Sequence, residues 1–314
     1  MELTLEIRMT PTASVSVATS VSTALEHTER ILFRPFNLSK WFVLGFSAFL
    51  ASLGSGGGYS GNWRRWQGRE ELVPQEVRSW VLEHLPLVIG LGIAVLLLII
   101  ALTMLFQWLS SRGTFMFLDG IVRDRAEVSE PWRRFRSLGN RLFVFRFLAG
   151  LAVLGGFLVI GLGIAGLAWF AIHRGGCLTW VPAALLGGLA LLFLLAAILF
   201  FQVLEDFGVP VMYRLDLGPS QALSVLRQEV MKGRGWDFTR FYLLKFVLAM
   251  GAAILVIVAG CLTCCIGFLP YLSSVLTLPV SVFFRCYALD LLRQIDPRWD
   301  LLNPGPQAEA EATI

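Results

Sequence analysis

Side chains that commonly perform chemistry are few in this chain and form no recognisable catalytic set. The histidines His27, His84 and His173 are scattered, so they make no metal or acid–base cluster. Cys261-x-x-Cys264 has the spacing of half a zinc site, but zinc needs four ligands, and no second pair or nearby histidine is present. The sequence therefore predicts no enzyme activity, no cofactor and no metal site.

Charged side chains within apolar segments are stronger candidates, because they are rare at membrane depth and often functional. Arg285 lies in the last apolar segment, and Arg146 and Lys245 lie where two earlier segments begin. Alternatively, these cations extend to the cytoplasmic interface or form structural ion pairs, in which case Glu205 or Asp206 is the expected partner of Arg285.

Two amides and three carboxylates recur at matching places. Gln107 and Gln202 each follow a phenylalanine near the end of an apolar segment, and we expect a hydrogen bond between them in preference to a substrate contact. The three carboxylates are Asp119, Asp216 and Asp290. We expect them to accept hydrogen bonds from nearby arginines in preference to binding one cation together.

The elements that must position these residues are membrane helices. Hydrophobic residues make up 56% of the 314 and charged residues 15%, whereas soluble domains average about 45–50% and about 25%. Several uncharged runs reach the roughly 20 residues needed to cross a bilayer core. The formal charge of +4 comes from basic residues that flank these runs, which argues against nucleic-acid binding.

The runs predict an all-α polytopic bundle of six transmembrane helices over residues 21–296. The predicted spans are Trp41 to Leu53, Leu85 to Leu109, Leu142 to Ile172, Leu178 to Val203, Phe241 to Leu269 and Tyr271 to Leu292. The first is short, so a re-entrant segment is its alternative. Amphipathic helices on the membrane surface are expected from Val21, Ser129 and Pro219. Residues 1–20 are predicted to be a flexible arm and residues 297–314 a disordered tail.

Matching segment ends indicate three tandem copies of one hairpin, each following an amphipathic helix. Phe106-Gln107 and Phe201-Gln202 stand at equal distances before Gly113 and Gly208. A basic residue followed by aromatic ones recurs where three spans begin. The inferred repeats are about 21–123, 124–216 and 217–296.

The distribution of charge predicts that both termini are cytoplasmic. With six spans, all but five of the 26 Lys and Arg residues fall on the side of the termini, and the positive-inside rule assigns that side to the cytoplasm. Anionic inner-leaflet lipid head groups are the expected partners of basic residues on the second and third amphipathic helices. These residues are Arg133, Arg134, Arg136, Arg227, Lys232 and Arg234.

Small residues predict close approach between spans three and four, and the same faces would also suit a protein partner or a second copy. They are Gly155, Gly156, Gly161, Gly163 and Gly166 on span three, with Ala183, Ala184, Gly187 and Gly188 on span four. A disulfide between Cys177 and Cys264 or Cys265 is left open.

Three stretches carry a resemblance: Glu29-Arg30-Ile31-Leu32-Phe33-Arg34-Pro35-Phe36-Asn37-Leu38-Ser39-Lys40-Trp41-Phe42, Gly113-Thr114-Phe115 and Arg141-Leu142-Phe143. Together they resemble an uncharacterised family of bacterial multi-pass membrane proteins. The layout is also similar to the membrane domain attached to some glycerophosphodiester phosphodiesterases. This resemblance implies a six-helix domain of the bacterial inner (plasma) membrane. The phosphodiesterase barrel, with its metal-binding acids and histidine, is missing, so no hydrolase role carries over.

The expected function is that of a non-enzymatic membrane scaffold or lipid-interacting module. The alternative is a transporter or channel-like protein that handles a lipid or small solute through the bundle. A polar cavity reaching Arg285 and Gln202 would favour transport or lipid handling, whereas a dry, glycine-packed interior would favour the scaffold.

Overall fold

The computed structural model describes residues 16–54, 83–125, 127–174, 180–262 and 270–302. These residues form helices joined by short turns, and no strand occurs among them. The alternative disulfide between Cys177 and Cys264 or Cys265 lies outside the described residues, as do most of the predicted arm and tail.

The helices, in chain order, are α1 (Val17–Phe33), α2 (Leu38–Ser52), α3 (Leu85–Val122), α4 (Ser129–Arg134), α5 (Arg136–Arg174), α6 (Trp180–Val203), α7 (Val209–Leu215), α8 (Pro219–Val225), α9 (Gly235–Leu262), α10 (Pro270–Leu276) and α11 (Leu278–Ile295). One π-helical turn, Leu204–Gly208, joins α6 to α7, and a second, Leu226–Val230, extends α8. A 3-10 turn, Pro297–Trp299, follows α11.

Polar side chains at the junction of α1 and α2 explain why the chain turns there. The side chain of Asn37 caps α2 by accepting hydrogen bonds from the backbone of Ser39 and Lys40. Lys40 Nζ then donates to the carbonyl of Ile31 at 2.7 Å, and Trp41 Nε1 donates to that of Leu32 at 2.8 Å. The last carbonyls of α1, which have no partner within their own helix, are thus satisfied by α2.

Four stretches of the described residues are long and apolar enough to cross a membrane: Leu85–Val122, Arg136–Phe170, Val181–Leu215 and Gly235–Cys261. They support the predicted helical membrane class, whereas the six-span layout stays a prediction. Helix α2 has 15 residues, fewer than the roughly 20 of a full span. The predicted sixth span is interrupted at Thr277, between α10 and α11. Pro279 contributes to this break because it has no N–H to donate to the preceding turn.

Two of these long stretches are divided into an exposed apolar run and a buried run. In α3, residues 85–106 are mostly exposed, whereas residues 110–121 are buried, and in Val181–Leu215 residues 206–212 are buried. The other two stretches have single buried residues near their starts, such as Leu142 and Phe241. These buried residues belong to one core at one end of the bundle, called here the core end. Exposed apolar surface of this extent is not tolerated in water, which indicates that lipid covers the remaining length.

The core end is built from aromatic contacts between helices that are distant in sequence. Phe207, in the π-turn, packs against Phe238 and Phe241 with ring centroids 5.1 and 5.2 Å apart. Phe241 in turn stacks on Tyr287 of α11 at 4.5 Å. Among the described helices, α2 packs on α3 and α10, α5 packs on α3 and α6, and α1 packs on α11. In the predicted third hairpin, α10 therefore lies against α2 instead of running along α9.

The apolar stripe of α1 faces protein, not the membrane as the sequence predicted. Ala24 and Leu32 are fully buried, and the helix packs on α11, whereas Leu25, which the predicted stripe also included, is 64% exposed. The helix also begins at Val17, inside the predicted arm, because Ser16 accepts a hydrogen bond from Thr19 N as its N-cap. At the other end of the chain, Trp299 is buried in the core, so the predicted tail is ordered there.

Replacing Ala24 by leucine tests this packing. We expect Ala24→Leu to lower the free energy of unfolding by about 1–3 kcal/mol, because no space remains for three more carbons at the interface of α1 and α11. The measurement is thermal unfolding of the purified protein in detergent. Leu25→Ala, one residue away on an exposed face, should change the stability by less than about 0.5 kcal/mol. A neutral Ala24→Leu would mean that the stripe faces lipid.

Spans three and four pack together as predicted, but only two of the glycines on span three take part. A Cβ added at Gly156 would lie 2.6 Å from the Phe193 ring, and one at Gly163 would lie 3.2 Å from Leu186. Contact between α5 and α6 also involves large side chains, such as Phe157 against Phe193 at 5.2 Å. A Cβ added at any of the remaining glycines would meet nothing within 4 Å: Gly155, Gly161, Gly166, Gly187 and Gly188. Use of these open faces by a partner or second copy stays a prediction.

Candidate functional site

One polar residue on each of four helices lies near the boundary between the exposed run and the buried run. These residues are Gln107 on α3, Arg146 on α5, Gln202 on α6 and Lys245 on α9. Exposed apolar residues lie directly beside two of them, with Phe147 39% and Phe246 63% exposed. A bilayer that covers the apolar runs would therefore have its head-group boundary at the level of these four side chains.

Three cations from three helices converge on the π-turn Leu204–Gly208. Arg146 Nη2 lies 2.8 Å from Glu205 Oε1, and its side chain is only 4% exposed. Lys245 of α9 forms an ion pair with Asp206, and both side chains are less than one-fifth exposed. Arg285 of α11 donates from Nη1 to the backbone carbonyl of Glu205 at 2.6 Å. This charged cluster joins α5, α9 and α11 to the end of α6.

Proline chemistry explains why the carbonyl of Glu205 is free to accept Arg285. In the π-turn, Val209 N–H donates to Leu204, five residues earlier. The next donor in this pattern would be residue 210, but Pro210 has no N–H. The Glu205 carbonyl is thus released from the helical ladder, and Arg285 satisfies it. π-Turns of this kind often occur at functional sites.

The charged cluster borders a cleft of about 660 Å³ between α3, α5, α6 and α9. Gln107, Gln202, Arg146, Lys245 and the two carboxylates form its polar part. The apolar part is lined by Val153, Leu194, Ala197, Ile198 and Phe201, with Gly54 and Gly150 completing the lining. The cleft is therefore amphipathic. Within the described ranges, no group of three or more His, Cys, Asp or Glu side chains is arranged to hold a metal ion.

Most of the sequence-predicted intramembrane residues meet at this cleft, but their bonds differ from those predicted. Gln107 and Gln202 both line it, yet the described structure contains no hydrogen bond between the two amides, because each faces the cleft from its own helix. Arg285 bonds to the backbone of Glu205 and not to a carboxylate, and it lies behind the lining. It also interacts electrostatically with Arg146 and Asp206.

The recurring aspartates do not converge on a shared cation site. Asp119 pairs with Arg123 at 3.1 Å and accepts a hydrogen bond from Tyr213 at 2.7 Å. Asp290 is fully buried and pairs with Arg293 at 2.6 Å. The predicted arginine bonds are therefore present for these two carboxylates. Asp216 instead ends α7 in the left-handed conformation, with φ of 51°.

The predicted basic head-group contacts lie at the surface of the core end. Arg134 lies 5.5 Å from the ring of buried Phe135, which anchors α4. Arg227 and Lys232 border a shallow depression beside α8. Arg234 is partly buried and donates to the carbonyl of Ile295 at 3.5 Å. The exposed members are Arg133, Arg134, Arg136, Arg227 and Lys232.

The fold and the cleft define a class: an all-helical protein whose described residues include four helices able to cross a membrane and an amphipathic cleft at the end of their apolar runs. Within that class, the chain belongs to a family of unknown function, DUF7544, whose model matches residues 15–272. The prediction of an uncharacterised family is thereby confirmed. Comparisons with curated proteins and with solved structures found no match.

Proposed function

We propose that the protein is a non-enzymatic, lipid-interacting module of the bacterial inner membrane that holds a membrane lipid in its amphipathic cleft. The cleft is the observation that carries this proposal. Its polar part lies where four apolar runs end, and its apolar part extends along α5 and α6. A membrane lipid likewise has a polar head group at the membrane boundary and an apolar chain that extends away from it.

The proposal includes a six-span architecture of three hairpins with both termini in the cytoplasm. Helix α2 would be a short first span, supported by its packing on α3 and α10. Helices α10 and α11, of 7 and 18 residues, would together form the sixth. Charge favours a cytoplasmic core end, so the cleft would open to the inner leaflet. Each exposed arginine or lysine there would contribute about 1 kcal/mol to attraction by anionic lipids.

Cysteine labelling tests the orientation. In a cysteine-free variant, we expect Ser220→Cys to react with a membrane-impermeant maleimide only after the cells are opened, whereas Ser60→Cys should react in intact cells. The physical basis is the excess of basic residues on the side of Ser220. Labelling of both positions from the same side would overturn the topology.

Photo-crosslinking tests lipid binding in the cleft. A phospholipid that carries a diazirine on its acyl chain should form adducts concentrated near Val153, Leu194 and Ile198. Ala197→Trp, which fills the cleft, should abolish this concentration. Leu195→Trp is the matched control, because Leu195 lies on the same helix but is 50% exposed and outside the lining. Adducts spread evenly along all exposed helix faces would contradict the proposal.

Lipid or solute transport is the second candidate, favoured by the helix break at Thr277 between α10 and α11. Interrupted helices are common where transporters move their substrates. Proteoliposomes that contain a fluorescent phospholipid distinguish the two candidates. Transport predicts movement between leaflets that Ala197→Trp stops, and a holding module predicts none.

A further inference from the structure

The charges around the cleft do not balance. Of the described side chains that line it or bond to its π-turn, Arg146, Lys245 and Arg285 are cationic, whereas only Glu205 and Asp206 are anionic. The cluster thus carries one excess positive charge. A net charge in a poorly hydrated site at a membrane boundary is unfavourable unless a counter-ion accompanies it.

The hydrogen-bonding capacity of the lining points to the same kind of ligand. Each carboxylate already accepts from a cation, Glu205 from Arg146 and Asp206 from Lys245. Lys245 has three N–H donors and Arg146 five, so donors remain, and the amides of Gln107 and Gln202 add more. The polar part of the cleft therefore offers spare donors. A phosphodiester has acceptors alone and is complementary to such a surface.

Internal comparison shows that the two carboxylates are not a general requirement of the fold. Because Gln107 and Gln202 stand at equal distances before Gly113 and Gly208, Ser110 and Ser111 occupy the places in α3 that Glu205 and Asp206 occupy in the second copy. Ser110 Oγ simply donates to the carbonyl of Ala51 at 2.6 Å. The corresponding pair in α3 is neutral, although the buried Arg112 follows it, so the two carboxylates are specific to the cleft.

We propose that the cleft selects a lipid whose head group carries one negative charge, with its phosphodiester among Lys245, Arg146 and Gln202 and its chain along Val153, Leu194 and Ile198. This inference rests on the proposed function and adds the charge of the ligand. The volume of about 660 Å³ lies within the usual range of ligand sites, about 300–1,000 Å³.

Native mass spectrometry of the intact chain in detergent provides the test. The probes are phosphatidylglycerol and phosphatidylcholine with identical acyl chains, and inorganic phosphate as a competitor. We expect the unaltered protein to retain phosphatidylglycerol at least about tenfold more strongly, a difference of about 1.4 kcal/mol. Inorganic phosphate should not displace it, because the chain contributes to binding.

Charge variants identify the source of the preference. Arg285→Gln can still donate to the Glu205 carbonyl but removes the excess charge, so the two lipids should then bind within about twofold of each other. Arg133→Gln removes an equal charge from the exposed surface and should keep the preference. Gln202→Leu is a second variant at an exposed position, and it should weaken phosphatidylglycerol binding even if Arg285→Gln fails to fold.

The outcomes separate this inference from the proposed function. Equal retention of both lipids by the unaltered protein would overturn the charge selection and leave lipid binding intact. Retention of neither lipid would overturn both. Displacement by inorganic phosphate, or a preference lost in Arg133→Gln and kept in Arg285→Gln, would refute anionic-lipid selection by the cleft.

Discussion

Lys245→Met is expected to lower the free energy of unfolding by about 3 kcal/mol, because it leaves the Asp206 carboxylate without its cation. Both side chains are less than one-fifth exposed, so water cannot replace the lost partner fully. The expected loss is at the lower end of the range for broken buried pairs, since the cleft allows some hydration. Thermal unfolding in detergent, followed by tryptophan fluorescence, measures it.

Adding Asp206→Leu to Lys245→Met should restore most of the stability. The double variant leaves no carboxylate without its cation, and apolar replacement of a whole buried pair is often neutral or stabilising. Arg34→Met is the surface control: its partner is Glu29, the two side chains are 74% and 56% exposed, and the expected change is below about 1 kcal/mol. If Lys245→Met were as mild as Arg34→Met, the pair at the cleft would be fully hydrated.

Gly113→Ala is expected to destabilise the protein by about 2 kcal/mol. A Cβ at this position would lie 2.5 Å from Leu50 Cβ and 2.6 Å from the backbone nitrogen of Ala51. The obstacle includes backbone, so α2 and α3 must move apart. The intrinsic helix preference of alanine over glycine, about 1 kcal/mol, offsets only part of this cost.

Gly90→Ala provides the matched control on the same helix. An added Cβ there meets nothing within 4 Å, so the variant should be neutral or stabilised by up to about 1 kcal/mol. The comparison uses melting temperatures of the two variants in the same detergent. Equal melting temperatures for Gly113→Ala and Gly90→Ala would show that α2 does not pack against α3 at Gly113.

Several local features could be predicted from the sequence because they depend on neighbouring residues alone. The apolar residues that follow Arg146 and Lys245 are mostly exposed in the structure. Ala222, Leu226 and Val230 form one stripe at helical spacing, although the stripe is buried in the protein core and does not face the membrane surface as predicted. Each of these features reflects side-chain period and composition over a few turns.

The wrong predictions concern the surface, protein or lipid, that a given helix face contacts. The spacing in α1 correctly indicated an apolar stripe at Ala24 and Leu32, but an apolar stripe is equally suited to lipid and to α11. The glycines of α5 allow close approach without requiring it, and most face open space. Gly113 and Gly208 served only to align the repeats, yet a Cβ added at Gly113 would meet the backbone of Ala51, whereas one added at Gly208 would first meet the side chain of Leu204.

The role of Glu205 and Asp206 as the meeting point of three cations could be predicted only in part. The sequence suggested that one of them pairs with Arg285. Pro210, five residues after Glu205, could have indicated that the Glu205 carbonyl is free, because proline lacks the N–H that would donate to this carbonyl in a π-turn. Without tertiary contacts, nothing identified Arg146 and Lys245 as the partners of the two carboxylates.

The sequence by itself determined that this chain is helical, with runs long and apolar enough to cross a membrane, because run length and apolarity do not depend on how the helices pack. The tertiary structure alone decided that Gln107, Arg146, Gln202 and Lys245, separated by up to 138 positions of chain numbering, border one amphipathic cleft. That arrangement depends on how α3, α5, α6 and α9 pack at the core end. Such packing comes from contacts between distant residues, which no local pattern records.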